Sequence, residues 1–115
     1  MSNFNQFILM GYMTRDPQLS YTPSQCAVVV FGLGVNRSFK RSDESIGEET
    51  LFIECQGFGN RAEAISKHFS KGQAIFIVGY LKLETWEKDG QPRSRIRAVV
   101  SNFEFVGKKP ADKAS

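Results

Sequence analysis

The segment Thr50-Leu51-Phe52-Ile53-Glu54-Cys55-Gln56-Gly57-Phe58 is the most informative part of the chain. Successive side chains of a β-strand point to opposite faces, so Leu51, Ile53 and Cys55 form an apolar row that we expect in a core. The opposite face mixes large rings with polar groups, at Phe52, Glu54, Gln56 and Phe58. Such a face is a poor core, but rings held on a rigid strand can stack on flat ligands. The segment therefore predicts a sheet that buries one row and presents the other for binding.

Length and composition fit one domain with one core. The chain has 115 residues, of which 41% are hydrophobic. Its ten Phe residues are more than a small core needs, so we expect some of them to be exposed for a reason. The formal net charge of +3 permits a polyanionic partner without requiring one.

The cysteines and the single histidine argue against a metal site. Cys26 and Cys55 stand in apolar strand patterns without metal-binding spacing, and we expect no metal and no cofactor. No segment approaches the roughly 20 apolar residues that cross a bilayer. The N-terminus also lacks the features of a signal peptide. We therefore expect a cytoplasmic protein with no membrane partner.

Two strands are predicted before the long polar segment. Residues 4–13 are apolar on both faces, which suggests a second layer or another subunit, and Pro17 breaks this strand. Residues 25–35 place a core row on one face, made of Ala27, Val29, Phe31, Leu33 and Val35. Gly32 and Gly34 on the other face would let a backbone or ligand approach closely.

Residues 36–49 form a long loop or an extended hairpin tip. Arg37, Lys40 and Arg41 bracket Phe39. A ring flanked by cations is typical of single-stranded nucleic-acid contacts, with charge for phosphates and a ring for a base. The alternative is a solvated loop with an incidental Phe. The acidic second half, from Asp43 to Glu49, argues against a phosphate track along the whole loop.

A helix follows the third strand. Ala62, Ile65 and Phe69 recur with helical spacing, Asn60 can cap the start, and Gly72 gives a C-terminal stop. His68 lies in the last turns, where a helix favours cations, and fits a surface or capping role better than a ligand role.

The fourth and fifth strands form a hairpin over residues 73–86 and 93–106, joined at Asp89-Gly90. In the fourth strand, a core row is expected at Ile75, Ile77, Leu81 and Leu83. The opposite face changes from apolar residues to Lys82, Glu84 and Trp86. In the fifth strand, Arg93, Arg95 and Arg97 share one face. This row is either a solvated edge or, beside Trp86, a phosphate-facing ribbon.

The order of elements predicts an all-β, five-stranded antiparallel OB-fold barrel with one helix between strands 3 and 4. Such barrels bind oligonucleotides or oligosaccharides across strands two and three. We expect the barrel over residues 1–107 and a flexible tail over 108–115. Catalysis is not expected, because the chain has no nucleophile–base pair, no carboxylate pair in a plausible cleft, no P-loop and no metal spacing.

Four segments in this order give the chain a family resemblance. They are FNQFILMGYMTRDPQLSYTPS, NRSF, FGNRAEAISKHFSKG and GYLKLETWEKDGQ. Over residues 4 to about 106 the chain resembles the bacterial single-stranded DNA-binding proteins. The resemblance implies base stacking at positions that match Phe39, Phe52, Phe58 and Trp86. Relatives commonly carry Trp where this chain has Phe39 and Phe52, and can carry cations where it has Glu54 and Glu84. These differences predict weaker binding.

The resemblance also implies a homotetramer that wraps single-stranded DNA near the nucleoid. First strands of two subunits pair in the family, which fits the apolar segment that includes Phe4, Gln6, Ile8 and Met10. Dimers then pack through outer sheet faces, which fits Phe76, Val78 and Tyr80. The family usually ends in an acidic tip that recruits replication and repair enzymes. Here the last residues are basic, with Lys108, Lys109 and Lys113, so recruitment of such enzymes is open.

The resulting hypothesis is a non-catalytic protein that binds and protects single-stranded DNA regardless of sequence. Seven cations are expected to neutralise phosphates: Arg37, Lys40, Arg41, Lys82, Arg93, Arg95 and Arg97. Affinity should then fall with salt. The alternatives are an OB-fold adaptor for other proteins, such as a primosomal one, and a sugar-binding OB-fold. The adaptor would not quench the single tryptophan with oligo-dT, and the sugar module would not show steep salt dependence.

Overall fold

The structure is a computed structural model that describes residues 2–107. The predicted tail at 108–115 lies outside these described residues. The elements in chain order are β1 (Phe7–Met13), β2 (Gln18–Tyr21), β3 (Ala27–Lys40), β4 (Ile46–Phe58), α1 (Asn60–His68), β5 (Ala74–Lys88) and β6 (Gln91–Phe105). Within the described range, none of the helical structure is long or apolar enough to span a membrane.

β1 and β2 are two parts of one barrel strand. Both run antiparallel to β3, with Met13 opposite Leu33 and Gln18 opposite Val30. Between them, the amide of Thr14 donates to the Gly32 carbonyl at 3.0 Å. Pro17 interrupts the ladder because it has no amide hydrogen to donate. The first predicted strand therefore does not end at residue 13 but continues beyond the proline.

The sheet closes into a barrel in the order β1-β5-β6-β4-β3, and β3 returns to β1 through Tyr12–Gly34 and Met13–Leu33. β4 and β6 pair in parallel at Cys55–Ala98 and Gln56–Val99, whereas the other pairings are antiparallel. The five-stranded OB-fold barrel with a helix between its third and fourth strands is confirmed. The structure adds the parallel pair that closes it.

The core lies inside the barrel, and α1 covers one end of it. The predicted rows on β3, β4 and β5 supply Ala27, Val29, Phe31, Leu33, Cys55, Ile75 and Ile77. Helix residues Ala62 and Ile65 and the following Phe69 are also fully buried there. The Phe69 ring stacks on Phe105 with centroids 5.0 Å apart. The apolar spacing of the helix therefore identified its buried face.

Two hairpin arms project beyond the barrel, and the predicted core rows fail there. β4 meets β6 at only two residue pairs, so much of the β3–β4 and β5–β6 hairpins stands outside the closed sheet. Leu51, Leu81 and Leu83, predicted for the core, are exposed. Alternation continues along each arm, but no opposite layer remains to cover the apolar row. Residues 36–49 accordingly form an extended hairpin tip rather than an open loop.

The ends of α1 differ from the prediction. Gly59, with φ +69°, is the N-cap, and no side chain caps the helix, so the prediction for Asn60 is wrong. Asn60 is the first helical residue because the glycine makes the sharp entry from β4. The helix ends at His68. Gly72, predicted as the helix stop, lies beyond it in a turn with φ +91°.

Candidate nucleic-acid interface

The outer face of the barrel joins β4 to the β5–β6 arm. In register, Gln56 lies beside Val99 and Arg97 lies beside Lys82, and paired residues of a sheet share a face. Because side chains alternate along each strand, one face collects three rows. They are Phe52, Glu54, Gln56 and Phe58 on β4; Lys82, Glu84 and Trp86 on β5; and Arg93, Arg95 and Arg97 on β6.

Three of the four predicted stacking residues share this face. Phe52 is 68% exposed and Trp86 is 42% exposed, while Phe58 is half-buried. The guanidinium carbon of Arg95 lies 5.2 Å from the centre of the Trp86 ring, within cation–π range. Phe52 is the ring most open to a base. Trp86 is partly covered by an arginine that a base would displace or join.

Phe39 lies on the other side of its ribbon from Phe52. It pairs with Gly47, whereas Phe52 pairs with Gly34, and these positions alternate along β3. The guanidinium carbons of Arg37 and Arg41 lie 5.1 and 5.5 Å from the centre of the Phe39 ring. Two of the three cations predicted to flank Phe39, namely Arg37 and Arg41, therefore lie next to its ring. The structure does not bring Phe39 together with the other rings.

The cations of the hairpin tip have partners within the tip. Arg37 contacts Glu49 at 2.6 Å, and Lys40 contacts Glu44 at 2.5 Å. Arg41 donates to the Ile46 carbonyl at 3.3 Å. All three cations are exposed, and exposed ion pairs contribute little free energy, so a phosphate can exchange for these partners.

A network of charges joins the arm to β4. Glu54 accepts from Arg15 at 3.1 Å and from Arg97 at 2.6 Å, and it pairs with Arg95 at 3.2 Å. Glu84 accepts from Arg95 at 3.0 Å and from Arg97 at 3.3 Å. Two carboxylates thus hold three guanidinium groups on the predicted binding face.

Arg97 differs from the other predicted phosphate contacts. Only 8% of Arg97 is exposed, and both carboxylates hold its guanidinium. A buried charge needs such partners, so the direct phosphate contact predicted for Arg97 is not supported. Lys82 and Arg93 are exposed and form no salt bridge with any other residue between 2 and 107. They are the most available cations on this face.

The network keeps Glu54 ionised. Partial burial alone would raise the pKa of its carboxyl. Hydrogen bonding and charge from Arg97, followed by the charge of Arg95 and the Arg15 hydrogen bond, outweigh burial and lower the pKa below its ordinary value. At neutral pH the carboxylate is therefore a fixed negative charge in the middle of the cations.

Arg15 is a residue that sequence reasoning missed. The glycine face of β3 was expected to let a backbone or a ligand approach closely, and side chains of β1 and of the segment after it occupy that space. A Cβ at Gly32 would clash with the Thr14 hydroxyl and the Arg15 guanidinium. Arg15 thereby crosses Gly32 to reach Glu54 and helps to line a depression of about 160 Å³ beside Phe52. The signal available in the sequence was Arg15 directly before Asp16-Pro17, together with the glycines of β3 and Glu54 on the neighbouring strand.

The predicted interface residues lie next to one another on β1, β5 and the segment before β1. Ile8 pairs with Val78, and Met10 pairs with Phe76, on the outer side of β1 and β5. Ile8 and Met10 are exposed, and Phe76 and Val78 are half-buried. Exposed Phe4, Gln6 and Tyr80 line a neighbouring depression of about 240 Å³.

Across residues 2–107, no group of three or more His, Cys, Asp or Glu side chains could hold a metal ion. Cys55 is buried, and Cys26 is exposed on the protein surface.

The chain is similar to known proteins of one family. The sequence profile of the Single-strand binding protein family matches residues 4–106. A "Single-stranded DNA-binding protein" of Helicobacter hepaticus is 39% identical over 94% of this chain and 64% of its own length. "Single-stranded DNA-binding protein 1" of Streptococcus pyogenes is 37% identical over 91% of this chain and 80% of its own length.

Solved structures show the same fold. A deletion mutant of the single-stranded DNA binding protein from Thermus aquaticus matches with a TM-score of 0.81 and 28% identity, over 90% of this chain and 51% of that one. A Plasmodium falciparum SSB complex with ssDNA matches with a TM-score of 0.86 and 19% identity, over 93% of this chain and 98% of that one. The chain spans 64%, 60% and 67% of the length of similar proteins from Helicobacter hepaticus, Helicobacter pylori and Wolinella succinogenes.

Proposed function

Because the chain belongs to the single-strand binding protein family, we propose that it binds single-stranded DNA and catalyses no reaction on it. Bases stack on Phe52, Phe58 and Trp86, and exposed cations neutralise the phosphates. Stacking contributes about 1–3 kcal/mol per base and tolerates any base, because every base has a π face. Binding is therefore largely independent of sequence.

The observation that carries this proposal is the outer face of the barrel. Phe52 and Trp86 stay exposed on stiff strands, with Lys82 and Arg93 available beside them. Exposed apolar groups rimmed by polar residues are typical of interaction sites. Rings next to exposed cations match a ligand that is flat and anionic at once, as an unpaired nucleic-acid strand is.

The hairpin tip is a second part of the proposed binding path. Phe39, Arg37, Lys40 and Arg41 lie at the far end of the β3–β4 arm. Their cations are exposed, so a strand that leaves the outer face can meet them. To reach this part, the DNA strand must pass around the β3–β4 hairpin, because Phe39 and Phe52 lie on opposite sides of that hairpin.

The test is fluorescence anisotropy of labelled oligo-dT with the whole chain, at two salt concentrations and with duplex DNA as competitor. The proposal predicts salt-sensitive binding that duplex DNA competes for poorly. Phe52→Ala should weaken binding by about 1–3 kcal/mol. Tyr21→Ala is the matched control for losing a ring, because the exposed Tyr21 lies on β2 beside Glu63 of α1, away from the outer face and the apolar patch on β1 and β5. Equal binding of duplex and single strand, or no effect of Phe52→Ala, would contradict the proposal.

Self-association is part of the proposed function. The edge of β1 opposite β5 pairs with β3 only at Tyr12 and Met13, so most of that edge is open within the described residues. An open apolar edge beside the Ile8–Val78 patch favours pairing with a second copy. We expect a homotetramer. Sedimentation of the whole chain should give four copies, and Ile8→Lys should shift it to smaller species, whereas a wild-type monomer at micromolar concentration would contradict this.

The cellular role follows from the same activity. A protein that covers unpaired strands would serve replication, recombination and repair, at the nucleoid in the cytoplasm. A fluorescent fusion should concentrate on nucleoids after replication is stalled, and a diffuse signal under those conditions would count against the role.

A further inference from the structure

We propose that Glu54 is a positioning residue that withholds Arg15 and Arg95 from phosphates, and that Arg15 is an additional phosphate contact released on binding. This inference rests on the proposed function and extends it. The Glu54 carboxylate thereby limits the affinity of the outer face for single-stranded DNA.

Arg15 lies where a phosphate would pass. Its side chain is 44% exposed, and its Nη2 is 3.1 Å from Oε1 of Glu54. It lines the depression of about 160 Å³ that also contains Phe52 and Glu54. A nucleotide stacked on Phe52 therefore carries its own phosphate next to this guanidinium. Gly32 provides the space that lets the arginine reach there.

Arg95 is the second cation that Glu54 restrains. Its side chain is 48% exposed, it contacts both carboxylates, and it covers the Trp86 ring. A base that stacks on Trp86 meets this guanidinium first. Arg97 is held by the same carboxylates but is buried, so it stays as the fixed counter-charge while Arg15 and Arg95 can exchange partners.

Competition explains the direction of the effect. The Glu54 carboxylate and a DNA phosphate are both anions that bind guanidinium groups. The Arg15–Glu54 and Arg95–Glu54 pairs are only partly shielded from water and so contribute a small net free energy, which lets a phosphate replace the carboxylate. The displaced carboxylate then remains next to the phosphate and repels it. Both effects lower the affinity of wild-type protein, and removing the charge of Glu54 should raise it.

The decisive experiment measures oligo-dT affinity against salt for the whole chain with Glu54→Gln. We expect about two- to fivefold tighter binding at low salt, the range of exposed ion pairs. The slope of log affinity against log salt should steepen by about 0.7 for each phosphate newly neutralised. Glu63→Gln is the matched control, because Glu63 lies on α1 and bonds Tyr21 rather than an arginine.

Arg15 variants separate this mechanism from a general charge effect. Arg15→Gln alone should weaken binding and flatten the salt slope by about 0.7. In the Arg15→Gln background, Glu54→Gln should give a smaller gain, since one of its released cations is gone. The Arg15 variant also gives an answer if Glu54→Gln folds poorly.

The outcomes are distinct. Unchanged or weaker binding by well-folded Glu54→Gln, an equal gain from Glu63→Gln, or no effect of Arg15→Gln overturns the inference while the proposed function stands. If wild-type protein does not bind oligo-dT, the proposed function fails, and the inference fails with it.

Discussion

Arg97 donates a 2.6 Å hydrogen bond to Glu54 across the parallel junction of β6 and β4, at the base of the projecting arm. The same arginine also reaches Glu84 on β5, so one buried guanidinium ties three strands together. Arg97, which the sequence placed in a row of expected phosphate contacts, is therefore part of the structure that holds the outer face together.

Arg97→Gln should lower stability more than it changes DNA binding. It removes two charge-assisted hydrogen bonds at a buried site, and we expect a loss of about 1–3 kcal/mol in the free energy of unfolding, measured by urea denaturation. Arg93→Gln is the control, because Arg93 is exposed on the same strand.

Arg93→Gln should leave stability within about 0.5 kcal/mol of wild type. It should also flatten the salt slope of oligo-dT binding by about 0.7. If the two variants behaved alike, with no loss of stability from Arg97→Gln, the structural role of Arg97 would be refuted.

Acid should weaken the fold partly through Glu54. The folded-state pKa of Glu54 lies below its ordinary value of 4.5, so its stabilising contribution is complete above that pH. The contribution is lost as pH falls through the lower folded-state pKa. Thermal unfolding from pH 6 down to about pH 3 should therefore show a steeper loss of Tm for wild type than for Glu54→Gln. Parallel curves would mean that the arginine contacts do not stabilise the carboxylate.

The two cysteines should differ in reactivity. Burial, helped by the nearby charge of Glu54 and opposed by that of Arg15, raises the pKa of Cys55 to about 12. Since the thiolate is the reactive form, N-ethylmaleimide at pH 8 should modify exposed Cys26 and leave Cys55 intact until denaturant is added. Mass spectrometry measures which cysteine is modified, with Cys26→Ser as the control. Rapid double modification of native protein would contradict the burial of Cys55.

Gly79 should resist substitution. It lies at the register shift between β5 and β6, and a Cβ there would collide with the Val99 carbonyl oxygen. Gly79→Ala must therefore move backbone, at a cost of about 1–3 kcal/mol in the free energy of unfolding. Gly57→Ala is the control, since its Cβ would lie 3.1 Å from a Val29 methyl group that can shift. Equal urea midpoints for the two variants would show that the close approach is not needed.

The sequence predicted the barrel because alternation and helical spacing report burial. The apolar rows of β3 and β5 and the Ala62–Ile65–Phe69 face lie in the core where the barrel is closed. The same rule failed at Leu51, Leu81 and Leu83, because alternation does not reveal where a hairpin leaves the barrel. The barrel's parallel closing pair joins residues more than 40 positions apart, which local pattern cannot register.

The residues of the candidate site could be predicted from the sequence, but the ion pairs among them could not. Phe52 and Trp86 are exposed as expected from a face that mixes rings with charge. The sequence could not show that Glu54 and Glu84 hold Arg95 and Arg97, because those contacts depend on the register between β4, β5 and β6. For the same reason the sequence assigned no role to Arg15.

The most direct measurement is a titration of Trp86 fluorescence with oligo-dT at low and high salt. Trp86 is the chain's single tryptophan, so its signal reports the β5–β6 arm alone. We predict strong quenching that saturates at low salt and needs more DNA at high salt, and a weaker apparent affinity for Phe52→Ala. An unquenched tryptophan, with DNA binding still measurable by anisotropy, would contradict the assignment of this face.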